Sequence, residues 1–175
     1  MKKRNIRIST KIKFYGLILI SIMMMAIMIT IYFNDKNVKD SLLINIAGEQ
    51  RMLTQKITKD VFYLHQSQSG DYSNLEKSID KFVENSKYIK DSNEIKNILA
   101  SPDAKISSQI SKVDKLWAIF HTDVKNCALA MNSPNQEKKI KRALETIYEE
   151  SDILLREVNE LVTMLTLYNE NKNEN

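Results

Sequence analysis

The stretch Phe14–Phe33 contains no charged residue, and it constrains the fold of this chain more than any other segment. As an α-helix its 20 residues span about 30 Å, because each residue adds about 1.5 Å, and this length matches the hydrocarbon core of a bilayer. Tyr15 and Tyr32 lie near its two ends, where aromatic rings favour the headgroup region. The stretch therefore predicts a transmembrane anchor at residues 14–33.

Residues 1–13 form a basic tail that predicts the orientation of this anchor. Six basic residues and no acidic residue occur there: Lys2, Lys3, Arg4, Arg7, Lys11 and Lys13. Basic residues on one side of a membrane segment keep that side in the cytoplasm. The N-terminus is therefore predicted to be cytoplasmic, and the chain from Asn34 onward is predicted to lie on the extracytoplasmic side of the inner membrane. A cleaved signal peptide is the alternative. The long apolar run and the lack of an Ala-x-Ala-like site favour the anchor.

The net charge of +4 comes from this tail. The rest of the chain carries 20 Lys and Arg against 22 Asp and Glu, a net charge of about −2. Basic residues beside a membrane segment are attracted to anionic lipid, so membrane lipid is an expected partner. The charge balance does not predict nucleic-acid binding.

Only three glycines and two prolines occur, which predicts an all-α fold with long helices. The first helix is expected to run from the membrane to about Gln68, with Gly70 and Asp71 breaking it. Two later segments carry apolar seams at alternating spacings of three and four, which predict an antiparallel four-helix bundle over residues 34–168. A frayed polar tail is expected at residues 169–175. The seams are Ile106, Ile110, Val113, Trp117, Phe120, Val124, Cys127 and Met131, then Ile140, Leu144, Ile147, Ser151, Leu154, Val158, Leu161, Leu165 and Tyr168.

Short local patterns predict where the later helices begin. Ser73 and Glu76 have the spacing of a capping box. Ser101-Pro102 and Ser133-Pro134 each suggest an N-cap followed by proline at the first helical position, and Ser92–Ala100 is predicted as a short helical piece. The apolar positions predicted for the second helix are Leu75, Ile79, Phe82, Val83 and Ile89.

The helix after the membrane segment has two faces with different composition. One face is predicted to pack in the bundle and carries Leu43, Ile46, Gln50, Leu53, Ile57 and Leu64. The other face combines small, cationic and polar side chains. A glycine one turn before an arginine suits close approach of another helix and a shared polar contact, so this face is predicted to be an interface. It carries Ile44, Gly48, Arg51, Gln55, Thr58 and Phe62.

The run Asn45-Ile46-Ala47-Gly48, followed after two residues by Arg51-Met52, resembles the signature of the PilJ-type domain. This is the sensory N-terminal domain of type IV pilus methyl-accepting chemotaxis transducers. A more distant resemblance is to the nitrate/nitrite sensor kinases of the NarX and NarQ kind. The resemblance implies an extracytoplasmic four-helix bundle that dimerises through its first helix, with two Arg51 side chains meeting across a two-fold axis. In the nitrate kinases that arginine pair holds the anion.

From this resemblance we expect a sensory-type domain that binds a small anion at a homodimer interface. Arg51 is the main expected ligand residue, with Gln55 and Asn45 as secondary contacts, and the expected interface is Ile44, Gly48, Arg51 and Gln55. Beyond the basic tail there are 17 lysines and only three arginines, so lysine is the usual cation of this chain. An arginine at position 51 therefore indicates that this position requires the planar, forked donors of a guanidinium.

Other function classes are less well supported by the sequence. It shows no second membrane segment or signalling module, so we expect no output module of its own and a full-length receptor or sensor kinase as partner. A structural coiled-coil scaffold of a pilus or envelope assembly is the alternative. No motif for catalysis or a cofactor is present, which predicts no enzyme. His65 and His121 lack a zinc spacing, Cys127 is expected to act as a small buried hydrophobe, and Glu149, Glu150 and Asp152 are expected on a solvated face.

Overall fold

The computed structural model describes residues 8–68, 70–92, 95–96 and 104–174, and among these no strand occurs. The helices are α1 (Ile8–Ser67), α2 (Ser73–Asp91), α3 (Ala104–Met131) and α4 (Glu137–Glu174). The chain divides into two compact units, Met1–Lys39 and Asp40–Asn175. The predicted all-α fold with an N-terminal membrane helix and a helical bundle is confirmed.

The first unit contains a candidate membrane span at Thr10–Tyr32, which is long and apolar enough to cross a bilayer. Its apolar side chains, such as Leu17 and Met28, are exposed, as expected for a surface that contacts lipid. The hydroxyl of Thr30 donates a hydrogen bond to the carbonyl oxygen of Ala26 at 2.9 Å. This bond gives the hydroxyl a partner within the helix, where a bilayer would offer no water. Most of the predicted basic tail lies outside the described residues.

The second unit is a bundle in which α1 and α2 are antiparallel neighbours. Gln50 Nε2 donates to Ser86 Oγ at 2.7 Å, and Lys56 Nζ donates to Ser78 Oγ at 2.7 Å. From the first contact to the second, the residue number rises in α1, from 50 to 56, and falls in α2, from 86 to 78. Two helices can show that relationship only if they run in opposite directions.

The other neighbouring pairs show the same antiparallel order, so the bundle runs up, down, up and down. Because each of the four helices contacts the next and α4 closes back on α1, all four enclose one core. The contacts are Lys90–Asp114 at 2.8 Å and Tyr72–Asn132 at 3.2 Å for α2 and α3, Lys112–Glu157 at 2.8 Å for α3 and α4, and Arg51–Asn159 at 3.4 Å with His65–Glu137 at 3.8 Å for α1 and α4.

The core combines the predicted seams of α3 and α4 with buried side chains of α1 and α2. Every seam residue of α3 and α4 is buried except Met131 and Tyr168, which are half-buried at the margin of the core. At the centre, the Phe82 and Trp117 rings stack with centroids 3.8 Å apart, and His121 stacks on Trp117 at 5.2 Å. Cys127 is also buried, as predicted.

The predicted helix starts are wrong in two places. The N-terminus of α2 has no capping box: Tyr72 occupies the cap position without a side-chain hydrogen bond, and Asp71 Oδ1 instead accepts from the N–H of Ser73 at 3.0 Å. Ser133 and Pro134 do not start α4. The N–H of Ser133 donates to the carbonyl oxygen of Ala130 at 3.1 Å and so closes the end of α3. The first carbonyl to accept the helical bonds of α4 is that of Gln136.

Three further details differ from expectation or lie outside the described residues. Val83, predicted in the core, is 47% exposed because α2 buries its neighbour Phe82 instead. Residues 169–174 are helical where a frayed tail was expected, since α4 runs to Glu174. The predicted start at Ser101-Pro102 lies outside the described residues, and of the short piece Ser92–Ala100 only residues 95–96 are described as helical.

Candidate functional site

The predicted interface face of α1 divides into an outer part and an edge. Arg51, Gln55 and Phe62 are exposed, whereas Ile44 and Thr58 are half-buried. Ile44 packs against the margin of the core. The exposed part of the face is therefore available to a partner, while the edge already contributes to the fold of one chain.

Arg51 lies beside α4 and has only weak contact with it. Its Nη1 donates to Asn159 Oδ1 at 3.4 Å, near the upper limit for a hydrogen bond. Among the described residues Arg51 forms no salt bridge, in contrast to Lys56, which pairs with Asp60 at 2.7 Å. A guanidinium has five N–H donors, and this contact uses one of them.

The carboxylate closest to Arg51 in sequence is engaged elsewhere. Glu49 Oε2 accepts a hydrogen bond from Asn85 Nδ2 at 2.8 Å, on the side of α1 that faces α2. Glu49 and Arg51 are about 160° apart around the helix, since each residue turns it by about 100°. The charge of Arg51 is thus left without a neighbouring carboxylate on its own helix turn.

Gly48 leaves open space on the outer side of α1, one turn from Arg51. A Cβ atom placed on Gly48 would meet no atom within 4 Å. Packing within this chain therefore does not require glycine at position 48.

Gln55 lines a shallow cleft between α1 and α4 with a volume of about 410 Å³. Apolar groups of Phe62, Tyr148 and Leu155 form much of its wall, while Arg51 lies outside this lining. No hydrogen bond within the described part of the chain joins Asn45, Arg51 and Gln55 to one another. Asn45 is exposed and lies about 120° around the helix from Arg51, so the structure does not group it with the other two.

Sequence reasoning missed Asn159, the residue of α4 that contacts Arg51. The two residues are separated by 108 positions, and neither periodicity nor a motif links them. Only the antiparallel register of α1 and α4 places them together. An exposed asparagine on the outer side of a helix gives no sequence signal of its own.

Glu150 was also assigned wrongly, because it is not simply on a solvated face. It is half-buried, and burial raises its pKa to about 7, helped by a hydrogen bond and the negative charge of Asp123 on α3. Burial also raises the pKa of Cys127 to about 11 and lowers the pKa of the half-buried His121, where the charge of Lys125 acts in the same direction. Among the described residues, no cluster of three potential metal ligands occurs.

Comparison with protein families gives a match to the PilJ family model, described as the Type IV pili methyl-accepting chemotaxis transducer N-term, over residues 32–145. The match covers 114 of the 175 residues and includes α1 from residue 32, α2, α3 and the beginning of α4. Comparisons with curated proteins and with solved structures gave no match.

Proposed function

Because this chain belongs to the PilJ family of type IV pili chemotaxis transducer N-terminal domains, we propose that it is a membrane-anchored sensory domain that binds a small anion between two copies of Arg51. The span Thr10–Tyr32 would anchor the protein, and Asp40–Asn175 would lie outside the cytoplasm. Two chains would associate through the outer side of α1, with Gly48 allowing close approach.

The observation that carries this proposal is the exposed Arg51 guanidinium, which has one long contact, to Asn159, and no salt bridge among the described residues. An exposed arginine on one chain is ordinary. Its position one turn from an open glycine on a helix of this family supports the proposal of a contact shared between two chains.

Simple electrostatics explains why such a site would require a ligand. Two guanidinium groups about 6 Å apart repel by roughly 3 kcal/mol at an effective dielectric constant of 20. A small anion between them removes this repulsion and accepts forked hydrogen bonds, each contributing roughly 1.5–3 kcal/mol. The ligand would therefore stabilise the dimer, because both arginines contact it only when two chains are present.

The other predicted site residues differ in how closely they would contact the anion. Gln55 is 40° or so around the helix from Arg51 and can contact the same ligand through its carboxamide. Asn45 is further around the helix and would contact only a larger anion. Ile44 would form the apolar edge of the interface together with Gly48.

The test is thermal unfolding of the full chain in lipid nanodiscs with nitrate, nitrite or small carboxylates at constant ionic strength. One of these anions should raise the unfolding temperature, and Arg51→Ala should abolish that increase. Arg142→Ala is the matched control, since Arg142 is exposed on α4 and should leave the increase intact. Equal, small shifts from all salts in every variant would refute the anion site.

The same experiment separates the sensory proposal from a structural scaffold of a pilus or envelope assembly. A scaffold would bind its protein partner whether or not a small anion is present. A full-length receptor or sensor kinase is the partner expected for the sensory reading, and its affinity should depend on the anion.

Topology has a direct test. A reporter enzyme that functions only outside the cytoplasm should be active when fused after Asn175. A cysteine introduced at Asn5 should be protected from membrane-impermeant reagents in intact cells. The reverse labelling pattern would contradict the proposed orientation.

A further inference from the structure

We propose that the open polar cleft at the loop end of the bundle is a second ligand site, which binds a neutral, hydroxyl-rich solute of the size of a sugar. This end of the bundle holds the connection from α1 to α2 and the connection from α3 to α4. The site is independent of Arg51 and extends beyond the anion-binding role.

The cleft has the size of a small-molecule site. Its volume is about 680 Å³, within the range of about 300–1,000 Å³ that is usual for such sites. The last turn of α1, the connection from α1 to α2, the end of α3, the connection from α3 to α4 and the first turn of α4 all contribute to its lining. Residues of three helices and two connections thus converge on one space.

The lining is rich in carboxamide groups. A carboxamide offers one acceptor oxygen and two N–H donors, so it can bond to a hydroxyl group in either direction. The Ser133 hydroxyl donates to the carbonyl oxygen of Leu129 at 3.4 Å and adds a further acceptor to the cleft. Five carboxamides line the cleft: Gln66, Gln68, Asn132, Asn135 and Gln136.

The charge of the lining selects against anions. Neither lysine nor arginine is among the lining residues, and the only ionisable acid and imidazole are Glu137 and His65, 3.8 Å apart. An anion would find no lysine or arginine there, and the Glu137 carboxylate would repel it. The cleft therefore differs in chemistry from the Arg51 surface and suits an uncharged ligand.

Tyr72 supplies an aromatic wall to the same cleft. Its hydroxyl donates to Asn132 Oδ1 at 3.2 Å, with the carbonyl oxygen of Ala128 at 3.4 Å as a second acceptor. These contacts fix the half-buried ring against α3. An aromatic ring beside carboxamides can pack against the C–H face of a sugar while the amides bond to its hydroxyls.

Backbone conformation distinguishes this end of the bundle from the rest of the described chain. Gln68 and Asn135 have φ angles of 49° and 60°, and they are the only non-glycine residues with positive φ that the structure describes. Both line the cleft. Strained backbone tends to occur at ligand sites, where it positions side chains.

The test uses the full chain in nanodiscs, because maltoside and glucoside detergents carry sugar themselves. Saturation-transfer NMR is recorded with glucose and N-acetylglucosamine as probes and with glycine as a zwitterionic comparator. The sugars should receive saturation from the protein, and Arg51→Ala should leave this transfer unchanged. The double variant Gln66→Ala, Gln136→Ala should bind the sugar about tenfold more weakly, as expected for two lost neutral hydrogen bonds.

Asn126→Ala is the matched control, since Asn126 is an exposed carboxamide on α3 outside the cleft lining. If the double variant unfolds, Gln66→Ala alone provides the test, because Gln66 is exposed in the last turn of α1. No transfer to either sugar, or equal transfer in the cleft variants and in wild type, would refute the site. Stronger transfer to glycine than to both sugars would refute the ligand class.

Discussion

Gln109 of α3 donates from Nε2 to two atoms of Glu157 on α4, the backbone carbonyl oxygen at 2.8 Å and the side-chain Oε2 at 3.0 Å. Both residues are buried, with 7% and 6% of their surface exposed. Lys112 Nζ lies 2.8 Å from Oε2, and Arg156 Nε lies 3.4 Å from Oε1. A buried carboxylate is tolerated only with such partners, so this pair fixes the register of the two helices.

Gln109→Ala should lower the free energy of unfolding by about 2 kcal/mol, because the buried Glu157 carboxylate and carbonyl lose a donor. Lys112→Ala is the comparison. Its side chain is 57% exposed, so its loss should cost about 1 kcal/mol or less. Urea unfolding of both variants tests the difference, and equal losses would contradict the role assigned to Gln109.

Glu150 and Glu157 affect the pH dependence of stability in opposite directions, because the pKa of Glu150 is raised in the folded chain and that of Glu157 is lowered. The pKa of Glu150 in the folded chain is about 7, against an ordinary value of 4.5. The folded state therefore holds more protons than the unfolded state between these values, and stability falls as the pH rises through this range. Glu157, whose pKa is lowered mainly by the Gln109 hydrogen bond, instead loses its contribution as the pH falls through its folded pKa.

Glu150→Gln should therefore stabilise the chain at pH 8 and have little effect at pH 4. We expect about 1 kcal/mol at the higher pH, a value reduced for solvent screening of a partly exposed carboxyl group. Unfolding temperatures measured across this pH range test the prediction. A variant that is less stable than wild type at pH 8 would contradict the proposed effect of burial and Asp123.

Gln68 follows the last residue of α1 with a φ of 49°, a position where glycine is the usual residue. A left-handed conformation costs a non-glycine residue roughly 1–2 kcal/mol, so Gln68→Gly should raise the free energy of unfolding by about 0.5–1 kcal/mol. Ser67→Gly, one residue earlier and still helical, should instead be destabilising. Calorimetry on both variants distinguishes the two positions. If Gln68 serves the polar cleft, the stabilised variant should also bind sugar more weakly.

Cys127 should be unreactive in the folded protein. The side chain is 1% exposed and its pKa is raised to about 11 by burial, so very little thiolate exists at pH 8. A chromogenic disulfide reagent should react only at the rate of unfolding, and the rate should increase with urea. Because Cys127 is the only cysteine, the signal has one source. Fast, stoichiometric reaction without denaturant would contradict its burial.

The core of the bundle could be predicted from the sequence because helical periodicity alone decides it. The apolar residues of each seam recur at spacings that keep them on one side of their own helix. The structure buries examples from both seams, Ile110 and Val124 on α3 and Leu144 and Leu161 on α4. No knowledge of the neighbouring helix is needed for that step. The position of Arg51 outside the core follows from the same periodicity.

Relationships between helices could not be predicted in this way. Asn159 beside Arg51 and Asp123 beside Glu150 depend on the register of antiparallel helices, which no local pattern encodes. The Ser133-Pro134 pattern misled for a related reason: the same residues can start one helix or close the previous one. The polar cleft was missed because its lining comes from two stretches, residues 64–72 and 131–140, which are far apart in the sequence.

A side chain at position 48 is expected to have opposite effects on the stability of one chain and on the association of two chains. Within one chain, alanine at this helical position meets no atom within 4 Å and should stabilise the helix by about 1 kcal/mol relative to glycine. Between two chains, a side chain at position 48 would push the helices apart and weaken the Arg51 contact. Gly48→Ala should therefore keep or raise thermal stability while it reduces association, and Gly48→Leu should reduce association more strongly. Sedimentation of the full chain in detergent, with Asn126→Leu on α3 as the control, measures association. If Gly48→Leu sediments as wild type does, or if wild type is monomeric at all accessible concentrations, the outer side of α1 is not the interface.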